Sequence, residues 1–219
     1  YGLRAPKIAV NVNAYYTMWM DKSDVRSKLM SNGDYARVNL TGVDARHAGL
    51  EIDFRYKPAR WVNITGMLSW GDWVWSSDSR GYIYDSQGQP MTAKLDGTVA
   101  SGITAEDHAW IELKQKGVHV AGSAQTTAAL GVDFFPMKGL RVGADWNLYG
   151  RNFADFYLGS NLVTNTAVTV NDPWKIPVGH QLDLSASYSF KMGKVRATLY
   201  GNVNNVYDYN YIMDAQCAT

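Results

Sequence analysis

The sequence contains little cysteine, no long apolar run and almost no excess charge. Its 219 residues include a single cysteine, Cys217, which excludes an internal disulfide and a cysteine-built metal site. No apolar run approaches the roughly 20 residues that a transmembrane helix needs. The formal net charge is +1, whereas nucleic-acid-binding domains carry a basic excess, so no nucleic-acid partner is expected. The opening YGLRAPK is turn-like and not a signal peptide, which does not argue for a cytosolic protein because the natural start could lie upstream.

Apolar and polar side chains alternate along residues 44–57, which read DARHAGLEIDFRYK. One face carries Leu50, Ile52, Phe54 and Tyr56, and the other carries Glu51, Asp53, Arg55 and Lys57. A period of two predicts an extended strand with one apolar and one wet face. Such a strand fits the edge of a soluble sandwich, and it also fits the wall of a barrel with lipid outside and water inside.

The same alternation recurs in seven segments, at about 7–20, 44–57, 61–74, 118–135, 140–152, 180–190 and 195–206. The connections between them alternate in length. Those at 58–60, 136–139 and 191–194 are short, and those at about 21–43, 75–117 and 153–179 are long. Greek-key sandwiches scatter their loop lengths, whereas outer-membrane barrels place short turns on one side and long loops on the other. The pattern therefore predicts an all-β fold, an antiparallel transmembrane β-barrel segment located in the bacterial outer membrane.

Aromatic residues are abundant, with 14 Tyr, 8 Trp and 6 Phe. Many fall near the ends of the predicted strands: Trp19, Tyr56, Trp61, Trp70, Trp73, Phe134, Phe135, Tyr188 and Phe190. This placement is typical of the aromatic belts at the two membrane interfaces, although aromatics are also good strand formers.

Seven strands are an odd number, and bacterial single-chain barrels have even numbers. An open sheet in hydrocarbon leaves unpaired backbone groups along two edges, each costing several kcal/mol. We therefore expect residues 1–219 to be a partial barrel, whose partners are outer-membrane lipids and the remainder of the same barrel or a second chain.

Four stretches of the sequence carry a resemblance to a known family. They are GLEIDFRYKPARWVNITGMLSWGDW (49–73), GLRVGADWNLYGRNFADF (139–156), LDLSASYSF (182–190) and LYGNVNNVYDYNYI (199–212). Their order and spacing resemble the C-terminal third of TonB-dependent outer-membrane receptors.

The resemblance implies a 22-stranded barrel, of which the seven strands here would be the fifteenth to the twenty-first. It also implies uptake of a small nutrient ligand, partnership with a plug domain and with the TonB complex through an N-terminal part, and in some members a surface lipoprotein. The sequence has no plug, no TonB box and no final strand ending in an aromatic residue. Transport is therefore expected of the parent protein only.

The segment 75–117 is the strongest candidate for ligand binding, since loops of this length are usually functional or disordered. It combines Trp75, Tyr82, Tyr84 and Trp110 with the carboxylates Asp78, Asp85, Asp96, Glu106 and Asp107. Stacking aromatics beside carboxylates could hold sugars or a ring-bearing ligand, and packing against neighbouring loops is the plainer interpretation. Glu51, Asp53, Arg55 and Lys57 are expected to line the lumen.

Catalytic and metal sites are not expected, nor is a cofactor. The histidines His47, His108, His119 and His180 lack metal-ligand spacing, and no GxSxG elbow is present. Asn204, Asn205, Asp208, Asn210 and Asp214 offer oxygen ligands for calcium, but turn formation explains them better. The alternatives to a receptor are a passive porin-like channel, a soluble β-sandwich glycan-binding module and an outer-membrane enzyme in which His119 or His180 would cluster with a serine and a carboxylate.

Overall fold

The computed structural model describes residues 1–29, 35–92, 108–158 and 164–218, and these residues form strands and no helix. The strands are β1 Gly2–Ala5, β2 Ile8–Leu29, β3 Tyr35–Ala59, β4 Val62–Trp75, β5 Ser79–Tyr84, β6 Trp110–Lys114, β7 Thr126–Met137, β8 Leu140–Gly150, β9 Asn152–Phe153, β10 Asp155–Tyr157, β11 Thr166–Thr169, β12 Lys175–Ile176, β13 Gly179–Met192, β14 Val195–Val203 and β15 Gln216–Ala218. The predicted all-β class is confirmed.

Eight strands form the main sheet, in the order β1-β2-β3-β4-β7-β8-β13-β14, with every neighbouring pair antiparallel. Each of the seven predicted segments overlaps one of these strands. The eighth, β1, lies in the N-terminal stretch that the sequence predicted as a turn. Strands β1 and β14 are the two edges of the main sheet, and among the described residues they do not pair with each other.

Tight turns at 6–7, 60–61, 138–139 and 193–194 join the strands at one end of the main sheet, here called the lower end. Three of them fall where the sequence predicts short turns. Gly139 has φ +87° and Gly193 has φ +61°, a backbone region that favours glycine. The long connections between these strands therefore lie at the opposite, upper end of the main sheet.

The upper end differs from the prediction. Residues 21–29 and 35–43, expected to lie in a loop, continue β2 and β3 as strands. This part of β3 pairs with β5, β5 pairs with β6, and β6 pairs with the parallel β11. We call the assembly of 22–29, 35–43, β5, β6 and β11 the upper sheet. The segment 75–117 is thus partly strand, and Asp96, Glu106 and Asp107 lie outside the described residues.

A pair of bulges separates the two sheets. Between Trp19↔Ala45 and Lys22↔Val43 strand β2 has one extra residue, and between Lys22↔Val43 and Asp24↔Leu40 strand β3 has one. Asp21 (φ +53°) and Gly42 (φ +67°) adopt the left-handed backbone at these places. Since each strand gains one residue, the pairing resumes beyond the bulges. The interrupted alternation explains why the sequence predicted a loop here.

The buried core lies in and under the upper sheet. It comprises Ala36, Val38, Leu40, Val43, Ile83, Met91, Ala109, Ile111, Leu113, Val118, Phe156, Leu158 and Val170. Phe156 lies in β10, which pairs with β15, so the C-terminal segment lies across this core. Buried Ala36, Val38 and Leu40 alternate with exposed Arg37 and Asn39, as expected for a sheet with one face covered.

The main sheet has an apolar face that no other layer of the described residues covers. Cross-strand pairs place Val10, Phe54, Gly66, Leu130, Trp146 and Leu182 in one continuous row across six strands. Leu130 is 43% exposed and Leu184 is 40% exposed. The main sheet therefore leaves its apolar side chains uncovered by other described residues, whereas the upper sheet buries its apolar side chains in the core.

The fourth predicted strand is shorter than expected. Strand β7 begins at Thr126, and residues 118–125 follow the upper end of β4 as an irregular segment. The backbone N–H of Trp75 donates to Val118 O at 2.9 Å, and that of Val120 donates to Trp73 O at 2.9 Å. Gly122 has φ +81°, which interrupts the extended conformation.

Candidate functional site

The polar face of the main sheet carries hydrogen-bonded amide–carboxylate pairs. Asn11 Nδ2 donates to Asp53 Oδ1 at 2.8 Å, and Asn13 Nδ2 donates to Glu51 Oε2 at 3.1 Å. Both pairs are cross-strand neighbours on β2 and β3. The four residues singled out in the sequence, Glu51, Asp53, Arg55 and Lys57, all lie on this face and are exposed. The polar face therefore presents exposed side chains that can donate and accept hydrogen bonds.

Four aromatic rings meet at the upper end of the polar face, and we call them the polar-face cluster: Tyr15, Trp19, His47 and Trp73. His47 stacks on Trp73 with ring centroids 5.1 Å apart, and Trp19 meets the edge of His47 at 6.3 Å. Trp73 Nε1 donates to Tyr15 Oη at 2.8 Å. Trp19 is 49% exposed. The cluster thus offers a partly exposed aromatic surface beside hydrogen-bonding groups.

Two glycines let these rings lie against the sheet. A Cβ atom on Gly49 would come within 2.5 Å of Tyr15 Oη, and one on Gly71 would come within 2.7 Å of Trp73 Nε1. A side chain at either position would lift the ring above it. The glycines therefore fix the orientation of the cluster, which is a packing reason for glycine inside a strand.

Gln125 anchors the cluster from behind. Its side chain is buried, its Oε1 accepts the backbone N–H of Trp73 at 2.9 Å, and its Nε2 donates to Trp73 O at 2.9 Å and Val120 O at 3.1 Å. The amide therefore takes the place of a strand partner on the β7 side of Trp73, where it shares Trp73 O with the backbone N–H of Val120, because β7 begins only at Thr126. No sequence pattern marked this glutamine.

A polar cavity of about 220 Å³ lies between the polar-face cluster and the upper sheet, bordered by Lys22, Asp24, Arg26, Trp75 and Asp155 among others. Arg26 binds Asp24 at 2.7 Å and Asp155 at 2.8 Å, donates to Phe156 O at 3.0 Å and packs on the Phe156 ring. This arginine connects β2 to the segment that covers the core.

The predicted ligand-binding residues do not form one site. Tyr82 and Trp110 are directly opposite each other on β5 and β6, and Tyr82 and Tyr84 each lie 4.9 Å from the His108 ring. All three lie on the side of the upper sheet opposite the buried core, which no other layer of the described residues covers. Trp75 is separate from them, because it packs against the buried core and borders the cavity.

Register shows that the two aromatic groups occupy opposite sides. Leu40 and Val43 are buried on the side that continues through Ala45 to His47, which is the polar face. Asn39, the partner of Tyr82, is on the other side. Trp19 and Trp73, expected in an aromatic belt, lie on the polar face instead, whereas Trp70 lies on the apolar face beside Leu50. Sequence reasoning missed the polar-face cluster because its rings come from three strands, and only the pairing of β2 with β3 and of β3 with β4 brings them together.

The remaining candidates have local roles. His119 Nδ1 lies 2.8 Å from Asp172 Oδ2, and His180 stacks on Tyr209 at 4.4 Å. In the described part of the chain neither histidine is hydrogen-bonded to a serine, and no group of three or more His, Cys, Asp or Glu side chains could hold a metal ion. Asn205 exchanges two hydrogen bonds with the backbone of Tyr209, as a turn-forming residue does.

Comparison with protein families, curated proteins and solved structures found no match to this chain. No helix of sufficient length and hydrophobicity to cross a membrane occurs in the described ranges.

Proposed function

We propose that this chain forms part of the wall of an outer-membrane β-barrel receptor that takes up a small nutrient, with TonB-type energy supply in the parent protein. The observation that carries the proposal is the uncovered apolar face of the main sheet, opposite a face of hydrogen-bonded polar pairs. In water, an apolar surface crossing eight strands would be covered by a second layer. Hydrocarbon on one side and water on the other removes that requirement.

The dimensions of the apolar face support this interpretation. The outward apolar positions span residues 62–70 on β4 and 182–190 on β13, nine residues each. At about 3.4 Å per residue and a tilt of 35–45°, nine residues rise about 20 Å, close to the apolar band of outer-membrane barrels.

Charged and aromatic residues border this band. Tyr56, Phe134 and Tyr188 lie on the apolar face near the lower turns, and Tyr16 and Trp70 lie near its upper limit. Immediately above, Asp72 binds Arg46 at 2.6 Å and Arg151 at 3.0 Å. Ion pairs directly above an apolar band are favourable where the hydrocarbon ends and water begins.

The unpaired edges of β1 and β14 support a larger assembly. Exposed N–H and C=O groups along an edge cost several kcal/mol each in lipid, so further strands must pair there. The rest of the same barrel meets this requirement, and the resemblance to TonB-dependent receptors supplies its expected size of 22 strands. In this arrangement the polar face lines the lumen, where a plug would contact Glu51, Asp53, Arg55 and Lys57.

Ligand contact is assigned to the polar-face cluster, because it lies on the lumen side at the upper end. A partly exposed aromatic surface beside amide and carboxylate groups favours a sugar or a ring-bearing nutrient. In the parent receptor, Trp19→Ala is expected to lower uptake several-fold without changing the amount of folded protein. Tyr207→Ala, a comparable exposed aromatic outside the cluster, is the matched control.

The topology test uses adjacent positions on β13. In a Cys217→Ser background, single cysteines at Leu184 and Ser185 are labelled with a fluorophore in outer membranes. A quencher confined to lipid tails should act on position 184, and a water-soluble quencher should act on position 185. Protection of position 184 from both quenchers would indicate a soluble sandwich and overturn the proposal. A smaller closed strand count in the parent, with an unplugged pore, would indicate a passive channel instead.

A further inference from the structure

We infer that the side of the upper sheet that no other described residues cover is a binding face for the acidic saccharide headgroups of glycolipids in the surrounding outer leaflet. The inference rests on the proposed function, because the membrane orientation decides what this side faces. We call it the outward aromatic face and define it by Arg37, Asn39, Arg80, Tyr82, Tyr84, His108 and Trp110.

The rings on this face form one surface. Tyr82 is the cross-strand partner of Trp110, and the His108 ring lies 4.9 Å from both Tyr82 and Tyr84. His108 Nε2 lies 2.9 Å from Ile83 O, which fixes the ring between the two tyrosines. Tyr82 is 37% exposed although aromatic side chains usually avoid water. Aromatic faces of this kind stack on the apolar face of a sugar ring.

Cationic and amide groups border the rings. Arg37 is the partner of Tyr84 and Asn39 the partner of Tyr82, and both are exposed. Arg80 lies over Trp110 at 4.3 Å and 3.5 Å from Glu112, whose other oxygen binds Lys114. Arg37 has no carboxylate partner within the described ranges. An arginine left free beside stacked rings suits a phosphate or carboxylate attached to a sugar.

The orientation and height of the face identify the occupant. The side that carries Asn39 is continuous with the apolar face, so it points away from the lumen and over the membrane. Asn39 lies eleven residues beyond Leu50, the upper apolar residue of β3, which corresponds to about 25 Å along the membrane normal at a tilt of 35–45°. Phospholipid headgroups occupy only about 5–8 Å on each side of the hydrocarbon, so they end well below it. Saccharide chains of glycolipids extend further.

The test uses the full-length receptor in proteoliposomes made of phosphatidylethanolamine with or without lipopolysaccharide. In a Cys217→Ser background, an environment-sensitive fluorophore is attached at Asn39→Cys. We expect its emission to shift only in liposomes containing lipopolysaccharide. At up to about 1 kcal/mol for an exposed ion pair, Arg37→Gln should raise the half-saturating lipopolysaccharide content about fivefold. Arg80→Gln should raise it less, because Glu112 lies 3.5 Å from this guanidinium. Lys175→Gln, an equal charge change in β12, should leave it unchanged.

Identical emission in both kinds of liposome, or insensitivity to the two arginine substitutions, would overturn the inference. A saturable shift with free delipidated oligosaccharide, without one from membrane-bound lipopolysaccharide, would also overturn it and would assign the face to a soluble ligand. The quencher result at positions 184 and 185 is independent of this face. Failure here with correct insertion there would therefore leave the proposed function standing.

Discussion

The main sheet and the upper sheet share two strands and yet place their apolar side chains on opposite sides. In the lower part of β3, Leu50 and Ile52 belong to the uncovered apolar face, and Glu51 and Asp53 belong to the polar face. In its upper part, Val38 and Leu40 are buried on the side continuous with that polar face. Strand β3 therefore buries the apolar side chains of its upper part and leaves those of its lower part uncovered, as the proposed place of the main sheet in a membrane wall requires.

The largest expected effect is the difference in unfolding free energy between a Leu→Ala substitution in the upper sheet and the same substitution in the main sheet. Leu40→Ala removes a fully buried side chain and should destabilise the upper sheet by about 2–5 kcal/mol, because it leaves a cavity. Leu184→Ala removes the same atoms from the uncovered face and should cost less, because lipid or detergent at the proposed membrane face fills the space and no cavity is left. Denaturant unfolding of the protein in detergent micelles, followed by hydrogen exchange of peptides from each sheet, measures both. Equal costs at the two positions would contradict the comparison.

The next largest effect on stability is expected when an arginine is introduced on one face of the main sheet or on the other. Leu130→Arg places a guanidinium on the apolar face and should reduce stability in bilayers by about 2–4 kcal/mol. Ala129→Arg, one residue earlier on the polar face, should cost much less because its charge stays in water. Folding yield into liposomes reports the difference. A larger loss for position 129 would reverse the assignment of the two faces.

A smaller effect concerns the connection between the sheets. Arg26→Met keeps the packing on Phe156 but leaves the carboxylates of Asp24 and Asp155 without their cation. Because both carboxylates are about one-third exposed, the expected loss is about 1–2 kcal/mol and is confined to the upper sheet. Limited proteolysis within 151–158 should accelerate, while peptides of β13 remain protected. Faster cleavage in both places would indicate general unfolding instead.

The smallest effect depends on pH. The backbone N–H of Lys116, and then the ammonium group of Lys114, lower the pKa of Asp78 below its ordinary value. A carboxylate with a lowered folded-state pKa contributes full stability above its unfolded pKa of about 3.9, and the contribution is lost as the pH falls through the folded value. Protection of the β5 backbone amides from hydrogen exchange should therefore decline on acidification. Asp78→Asn should remove the part of this decline that comes from protonation of the Asp78 carboxylate. An unchanged acid profile in the variant would contradict this.

Alternation made most of the main sheet predictable. Residues 61–74 and 140–152 largely keep a period of two, with Met67, Asp72 and Trp73 as exceptions, and β4 and β8 lie there. The turns fall at 60–61 and 138–139, at or next to those indicated by Pro58 and Gly139. The upper sheet was not predictable, because Asp21 and Gly42 each interrupt the period and the interruption resembles a loop. A burial pattern that resumes after one extra residue is visible only when the pairing partner is known.

The sequence predicted the kinds of residue that form the candidate site, but not which of them lie together. Tyr82, Tyr84 and Trp110 do converge, since they share a face of adjacent strands, but Trp75 belongs to the core. The cluster around His47 was hidden because its rings come from β2, β3 and β4, and only the register brings Tyr15 to Trp73. The function of Gln125 depends on where β7 begins, which no local pattern specifies.

The two matched bulges at Asp21 and Gly42 have a consequence for how such chains diversify. Because each strand carries one additional residue, the register below them does not depend on what is built above. The upper sheet can therefore be lengthened, shortened or replaced as a unit without shifting the pairing of β2 with β3 below the bulges. A lone deletion of Gly42 would disturb that arrangement, whereas loss of both additional residues together would preserve it.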